Sequence, residues 1–371
     1  MNMQEPEQKL FEECEATETP DIAPPKRRRR VKLMAVLLIL LGVTGGLGAI
    51  AVKFLFNPPE AAPGAERIVE IPSGASLRRT AEILRDAAVI RDKNLFMILA
   101  RIYRRGKSIK AGEYQFTTAM LPVAVLEKLQ DGKIYIRSAT IPEGYTARQI
   151  AAILAQRGLN EQEFLAQVFD KRVAAQYNVS AESLEGYLFP DTYYINRGMT
   201  VEAIVRKMVQ EFWDVMTPEM RQEIQQKGFT VHEIVTLASI IEKEARLPQE
   251  RELISAVYHN RLRIGMKLDS DPTVIYGIEN FNGNLTRVDL QTDTPYNTYK
   301  RRGLPPGPIA SPGKAALLAA IRPAAVNYLY FVARNDGSHQ FSATYAEHQR
   351  AVREYQKNRR KRQAQADAAN K

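Results

Sequence analysis

The sequence predicts an α+β protein: a single N-terminal transmembrane helix, a small βααβ module and a larger mixed α+β domain. Three observations predict it. Residues 33–52 form an uncharged run of twenty residues, long enough to span a bilayer core as a helix. Two stretches about seventy residues apart, 71–76 and 141–146, repeat a short strand, a Gly turn and a Ser or Thr that caps a helix. Further on, helical stripes lead into an Asp-Gly turn between two strand-like runs, which signals a hairpin.

Residues 1–32 are the first segment. Seven acids and little apolar periodicity in residues 1–25 predict a disordered tail. Lys26, Arg27, Arg28, Arg29, Arg30 and Lys32 then form a positive cluster that should stay cytoplasmic. The run 33–52 therefore reads as an uncleaved single-pass anchor, with the bulk of the chain outside the cytoplasm. A cleaved signal peptide competes, but its apolar part is ordinarily shorter and its leader briefer. Residues 53–66, with Asn57-Pro58-Pro59, read as a short stiff linker.

Composition excludes several classes. The net charge of +10 owes six charges to the cluster beside the anchor, and the tail 357–371 carries another basic run, so no nucleic-acid partner is expected. Cys14, the single cysteine, lies on the expected cytoplasmic side, so the exported part forms no internal disulfide. His232, His259, His339 and His348 are scattered without metal-ligand spacing, and neither a metal nor a cofactor is expected.

The module occupies residues 67–137: a strand near Ile71, a helix through Ala81 and Leu84, a second helix at 93–103 and a strand at 113–116. The larger domain occupies 138–356. It opens on the second strand-and-helix unit, then a helix at 161–172, a loop with Glu185 and Asp191, and a helix at 201–214. A long helix at 230–264 follows, then an Ala-rich helix at 314–321. Strands at 328–333 and 339–342 flank Asn335-Asp336-Gly337, and the chain turns polar and helical from Tyr345.

Within the long helix, Ile234, Leu237, Ile241 and Glu244 follow at steps of three, four and three, so they share one face. Glu242 lies about 200° around the axis from Glu244. A carboxyl group among hydrophobes should have a raised pKa and can serve as a general acid near neutrality. The plain alternative is a structural ion pair with Arg246 or Arg251. The loops that follow are rich in Pro, Gly, Asn, Thr and Tyr. Stiff loops with aromatic rings and short polar side chains suit a sugar chain, and the alternative is a set of turns whose rings cover the core.

Six blocks in order carry a family resemblance. They are Leu184-Glu185-Gly186-Tyr187-Leu188-Phe189-Pro190-Asp191-Thr192-Tyr193, Leu237-Ala238-Ser239-Ile240-Ile241-Glu242-Lys243-Glu244, Asn260-Arg261-Leu262, Asp271-Pro272-Thr273-Val274-Ile275-Tyr276-Gly277, Tyr296-Asn297-Thr298-Tyr299 and Gly303-Leu304-Pro305-Pro306-Gly307. Over residues 68–355 the chain resembles the endolytic murein transglycosylase (YceG-like) family. The module likewise resembles LysM, a unit that binds N-acetylglucosamine-containing glycans, with a plain spacer as the alternative.

The resemblance implies lytic cleavage of peptidoglycan by one essential Glu, which maps onto Glu244. As acid it protonates the oxygen between N-acetylmuramic acid and N-acetylglucosamine. As base it then takes the proton of the muramic 6-hydroxyl, which attacks C1 and leaves a 1,6-anhydro end. Glu185, Tyr187, Asp191, Asp271, Thr273, Tyr276, Tyr296, Asn297 and Tyr299 are the candidate substrate contacts. The implied setting is the bacterial inner membrane, with the catalytic domain periplasmic, peptidoglycan strands as partner, cell-wall synthases as companions, and a role in limiting strand length. A hydrolytic muramidase using Glu185 or Asp191 as second carboxylate, and a non-catalytic wall-binding scaffold, are the alternatives. Leu188 and Ala245 depart from the family pattern at positions bearing on subsites.

Overall fold

A computed structural model describes residues 27–61, 63–103, 108–279, 281–334 and 336–357. The tail 1–25, Cys14 and the basic run after Lys357 lie outside the described residues. Helix α1 spans Arg27–Phe56, and its stretch Lys32–Ile50 is long and apolar enough to cross a membrane.

The chain divides into two compact units. One gathers the residues up to Val69 with Gly74–Ile109 and Phe116–Asp131; the other gathers Glu70–Ser73, Lys110–Gln115 and everything from Gly132 on. In the N-terminal region β1 (Glu66–Ile71), α2 (Leu77–Asp86), α3 (Lys93–Ile102) and β2 (Gly112–Thr117) follow in the expected order, and β1 pairs with β2. Ser76 caps α2 and Asp92 caps α3. A further helix, α4 (Pro122–Asp131), completes it. Ala81, Leu84, Phe96, Leu99, Phe116, Leu126 and Leu129 are the buried core of the first unit.

The larger unit opens on β3 (Arg137–Thr140), antiparallel to β4 (Thr192–Ile195), with Arg137 opposite Ile195 and Thr140 opposite Thr192. Between them lie α5 (Ala147–Ala155), α6 (Glu161–Val168) and α7 (Lys171–Gln176). The repeat seen in the sequence is structural. Gly74 and Gly144 both turn the chain at positive φ, +74° and +75°, before a capped helix. The helix expected at 161–172 is interrupted, because Asp170 takes an extended backbone and caps α7 through the Arg172 amide.

After β4 come α8 (Val201–Val215), α9 (Pro218–Gln226) and α10 (Val231–Glu244), then α11 (Arg251–Arg263), α12 (Asp271–Tyr276), α13 (Arg287–Gln291) and α14 (Lys314–Ile321). The single helix expected at 230–264 is two. Ala245 is already extended, and Pro248 holds Leu247 extended (φ −100°, ψ 128°), since a residue before proline is disfavoured in the helical region. Glu244 is therefore the last residue of α10, at a helix end. Nor is α10 one-sided: Ile234 through Ile241 are all buried, with α11 and α14 packed on it. The hairpin β5 (Tyr330–Ala333) and β6 (His339–Ser342) pairs antiparallel, and α15 (Tyr345–Val352) follows. β5 starts two residues later than expected because side chains of α11 claim the Tyr328 and Leu329 carbonyls.

Candidate active site

Glu244 makes no ion pair among the described residues. Arg251, the partner the plain reading offered it, instead reaches the Glu242 carboxylate at 3.6 Å. Glu242 also accepts the Gly313 amide at 3.1 Å, so it pins the start of α14. Glu244 is half-buried and accepts two hydroxyl donors, Ser270 Oγ at 2.7 Å and Tyr258 Oη at 3.2 Å. Both land on Oε1. Oε2 takes no protein partner among the described residues and is not sealed from solvent.

Desolvation holds the Glu244 carboxyl above the ordinary carboxylate range, and the nearby Asp271 charge adds to this. The Ser270 and Tyr258 donors and the His339 ring act in the opposite direction. A protonated carboxyl with one oxygen engaged and the other open can deliver its proton only from the open side. It can later recover a proton there.

The loops around Glu244 are held by the motif blocks. Arg261, nearly buried, donates to the Leu329 and Leu268 carbonyls, each at 2.7 Å, so α11 fastens the segment before Ser270. Asn260 donates to the Val326 and Tyr328 carbonyls. Asn297 is fully buried; its amide donates to the Leu290 and Thr292 carbonyls and its oxygen accepts the Tyr299 amide. Thr273, also fully buried, bonds the Ser270 carbonyl and Thr298. Tyr299 donates to Asp271 at 2.6 Å beside the site.

Several expected substrate contacts are thus scaffold. Tyr187 is 1% exposed, packed edge-on against Phe212 and bonded to His232. Thr273 and Asn297 are likewise buried, with their polar groups bonded within the protein. Glu185 is also buried. Its oxygens accept the Ala147 amide at 3.0 and 3.2 Å and Tyr276 Oη at 3.1 Å, and burial pushes its carboxyl up to about 7 against those donors. Beside it Gly186 is at φ +83°, where a Cβ would stand 2.4 Å from Pro308 Cβ; only glycine fits that approach. Tyr276 and Tyr296 are half-buried, their rings 4.8 Å apart. Asp191 lines a depression of about 400 Å³ with Tyr194, Arg206 and Lys207, and Glu244 is not part of that lining. Of the expected residues, Asp271 and Tyr299 act on Glu244 electrostatically.

The YceG-like family model matches residues 69–354. The chain belongs to the YceG-like family. It is 33% identical over 320 residues to the endolytic murein transglycosylase of Bacillus subtilis (strain 168), covering 82% of this chain and 88% of that relative. It is 31% identical over 353 residues to that of Streptococcus pneumoniae serotype 2 (strain D39), covering 86% of this chain and 64% of that relative. The crystal structure of a YceG-like protein from Listeria monocytogenes matches with a TM-score of 0.55 at 36% identity, covering 77% of this chain and 98% of that one.

In this YceG-like chain, sequence reasoning missed Tyr258, Ser270, Thr298 and His339. Tyr258 stands fourteen residues after Glu244, on a helix read as a continuation of the same one, so no spacing argument could turn it back. His339 is tied by its ring and its amide to the buried Glu250, at 2.7 and 2.8 Å. His232, His259 and His339 all bond protein groups, and no cluster of metal-binding side chains occurs among the described residues.

Proposed function

We propose that this protein is a peptidoglycan lytic transglycosylase in which Glu244 is the sole acid and base. The observation that carries the reading is the one-sided hydrogen bonding of Glu244: two donors on Oε1, none on Oε2. Oε2 protonates the oxygen between N-acetylmuramic acid and N-acetylglucosamine. The resulting carboxylate, whose proton affinity is raised by desolvation, takes the proton of the muramic 6-hydroxyl as that oxygen bonds to C1. One proton is lent and returned, and no water is consumed. An internal nucleophile has the proximity advantage of an intramolecular step, so no second carboxylate is needed to hold water.

The hydrolytic alternative is less well supported. It requires a second carboxylate flanking the bond. Glu185 spends both oxygens on the protein, and Asp191 lines a depression that Glu244 does not share.

The length and apolar character of α1 support a setting. The helix anchors the chain in the cytoplasmic membrane with the basic cluster inside, so that the domain meets glycan strands as they are made and limits their length. The βααβ module binds those strands in the manner of LysM. Mass spectrometry of purified peptidoglycan incubated with the protein tests the chemistry. 1,6-anhydro ends are expected; reducing ends alone mean hydrolysis, and intact strands mean a scaffold. A mature N-terminus beyond Val52 would overturn the anchor.

A further inference from the structure

Among the described residues, seven helices begin with a Ser or Thr whose side chain accepts the amide three residues on: Ser76, Thr146, Thr200, Thr217, Thr230, Thr286 and Thr344. That is the ordinary use of a hydroxyl at the position before a helix. Ser270 occupies the same position before α12, and its side chain caps nothing. Its hydroxyl points instead to Glu244 Oε1, at 2.7 Å. The Thr273 amide that it would have capped goes to the Ser270 carbonyl.

The rest of Ser270 is fixed from three sides. Its amide donates to Thr298 Oγ1 at 3.0 Å, its carbonyl accepts Thr273 Oγ1 at 2.7 Å, and those two hydroxyl oxygens are 2.8 Å apart. Just before it, Asp269 takes a left-handed backbone at φ +47°, unusual for a residue other than glycine. Arg261 holds the Leu268 carbonyl at 2.7 Å and lies 3.8 Å from the Asp269 carboxylate. Ser270 is 1% exposed, so it is sealed from a substrate.

We infer that Ser270 is the positioning residue of the reaction: its diverted hydroxyl fixes the Glu244 carboxyl so that the open oxygen, Oε2, carries the proton toward the scissile bond. Ser270 acts through Glu244 and touches no reacting atom. A hydroxyl can donate only one hydrogen, so spending it on Oε1 makes that oxygen the acceptor in both protonation states. The proton is left to Oε2, and the rotation that would exchange the two oxygens is opposed. Thr298 and Thr273 hold the seat of Ser270, which gives the Asp271-Pro272-Thr273 and Asn297-Thr298 blocks a shared task across 25 residues of chain.

The inference rests on Glu244 being the acid, and the test separates the two. Tyr258 on α11, Asp271 at the start of α12, Tyr299 and His339 on β6 also face Glu244 and remain in every variant. In Ser270→Ala, kcat for anhydro-product formation should fall about tenfold to a hundredfold, the scale of a hydrogen bond to a charged group, with KM within about twofold. The alkaline limb of the pH profile, where Glu244 loses its proton, should move to higher pH, because Ser270 stabilises the carboxylate. Ser270→Thr, which keeps the hydroxyl, should regain kcat to within about threefold of the original. Should the Ala variant not fold, Ser270→Cys carries the same test with a near-isosteric, weaker donor. Wild-type kcat with an unmoved limb in the Ala or Cys variant overturns the inference. If Glu244→Gln is inactive in the same assay, that result sinks Ser270 alone; if Glu244→Gln is active, the acid assignment itself has failed.

Discussion

Glu185 and Glu244 are two carboxylates withdrawn from water in the same unit, and they are held in opposite ways. Glu185 has donors on both oxygens, from the first amide of α5 and from Tyr276 on α12, and is closed off from solvent. Glu244 has both donors on one oxygen and keeps the other open. Burial raises the pKa of each. A raised pKa therefore does not distinguish a working acid from a strut, since structural networks perturb titration as well. In the reading proposed for Glu244, the unoccupied oxygen does.

The sharpest way to break this comparison is Glu244→Gln, which keeps shape and most hydrogen bonding but removes the proton. Turnover should fall by roughly a hundredfold or more, the scale of lost general acid–base catalysis, while stability stays within about 1 kcal/mol. Glu242→Gln, two residues back, should be far milder in turnover per folded molecule, because Glu242 is engaged with Gly313 and Arg251. Product assays and melting temperatures on both variants decide it. A destabilised Glu244→Gln that keeps its turnover would make Glu244 a second strut.

The next effect is in stability against pH. Glu185 titrates at about 7 in the fold against an ordinary 4.5, so between those values the folded state binds more protons than the unfolded one. Its contribution to stability is then fully present below about pH 4.5 and is lost as pH rises through 7. Melting temperatures should accordingly decline between pH 5 and pH 8, and Glu185→Gln, which cannot titrate, should flatten part of that decline. On the order of 2 kcal/mol is expected across the window. An unchanged slope in Glu185→Gln would mean that Glu185 is not the group being linked.

Much of this architecture was legible in the sequence because it is local. The apolar run of α1, the repeated Gly turn with its capped helix, the Ala-rich α14 and the hairpin about Asp336-Gly337 each depend on neighbours a few residues apart. That Glu244 is withdrawn from water was legible too, though its stripe was narrower than the burial that α10 meets on all sides. What could not be read was the break after Glu244, where Pro248 turns one expected helix into two and brings Tyr258 back onto the carboxylate. Ser270 was equally hidden: only the fold shows its hydroxyl turned onto Glu244 and away from the start of α12. The Tyr and Asn blocks could not be sorted from sequence, because the residue types that bind sugars also staple loops, as Asn297 does here.

Tyr187 gives the smallest and most discriminating test of that last confusion. Its ring is buried against Phe212 at 4.9 Å, and its hydroxyl meets His232 Nδ1 at 3.1 Å. Tyr187→Phe keeps the ring and its burial, and removes one neutral hydrogen bond. His232 retains its second contact, from Nε2 to the Pro306 carbonyl at 2.9 Å, so the Gly303-Leu304-Pro305-Pro306-Gly307 loop stays tied. The expected cost is about 1 kcal/mol, read as a fall of roughly 2–4 °C in melting temperature. KM for glycan strands should not change. A residue that touched substrate would give the reverse, an unchanged melting temperature with a raised KM. That outcome would return the Glu185-Gly186-Tyr187 block to the substrate's side of the comparison and place Glu185 beside a ligand.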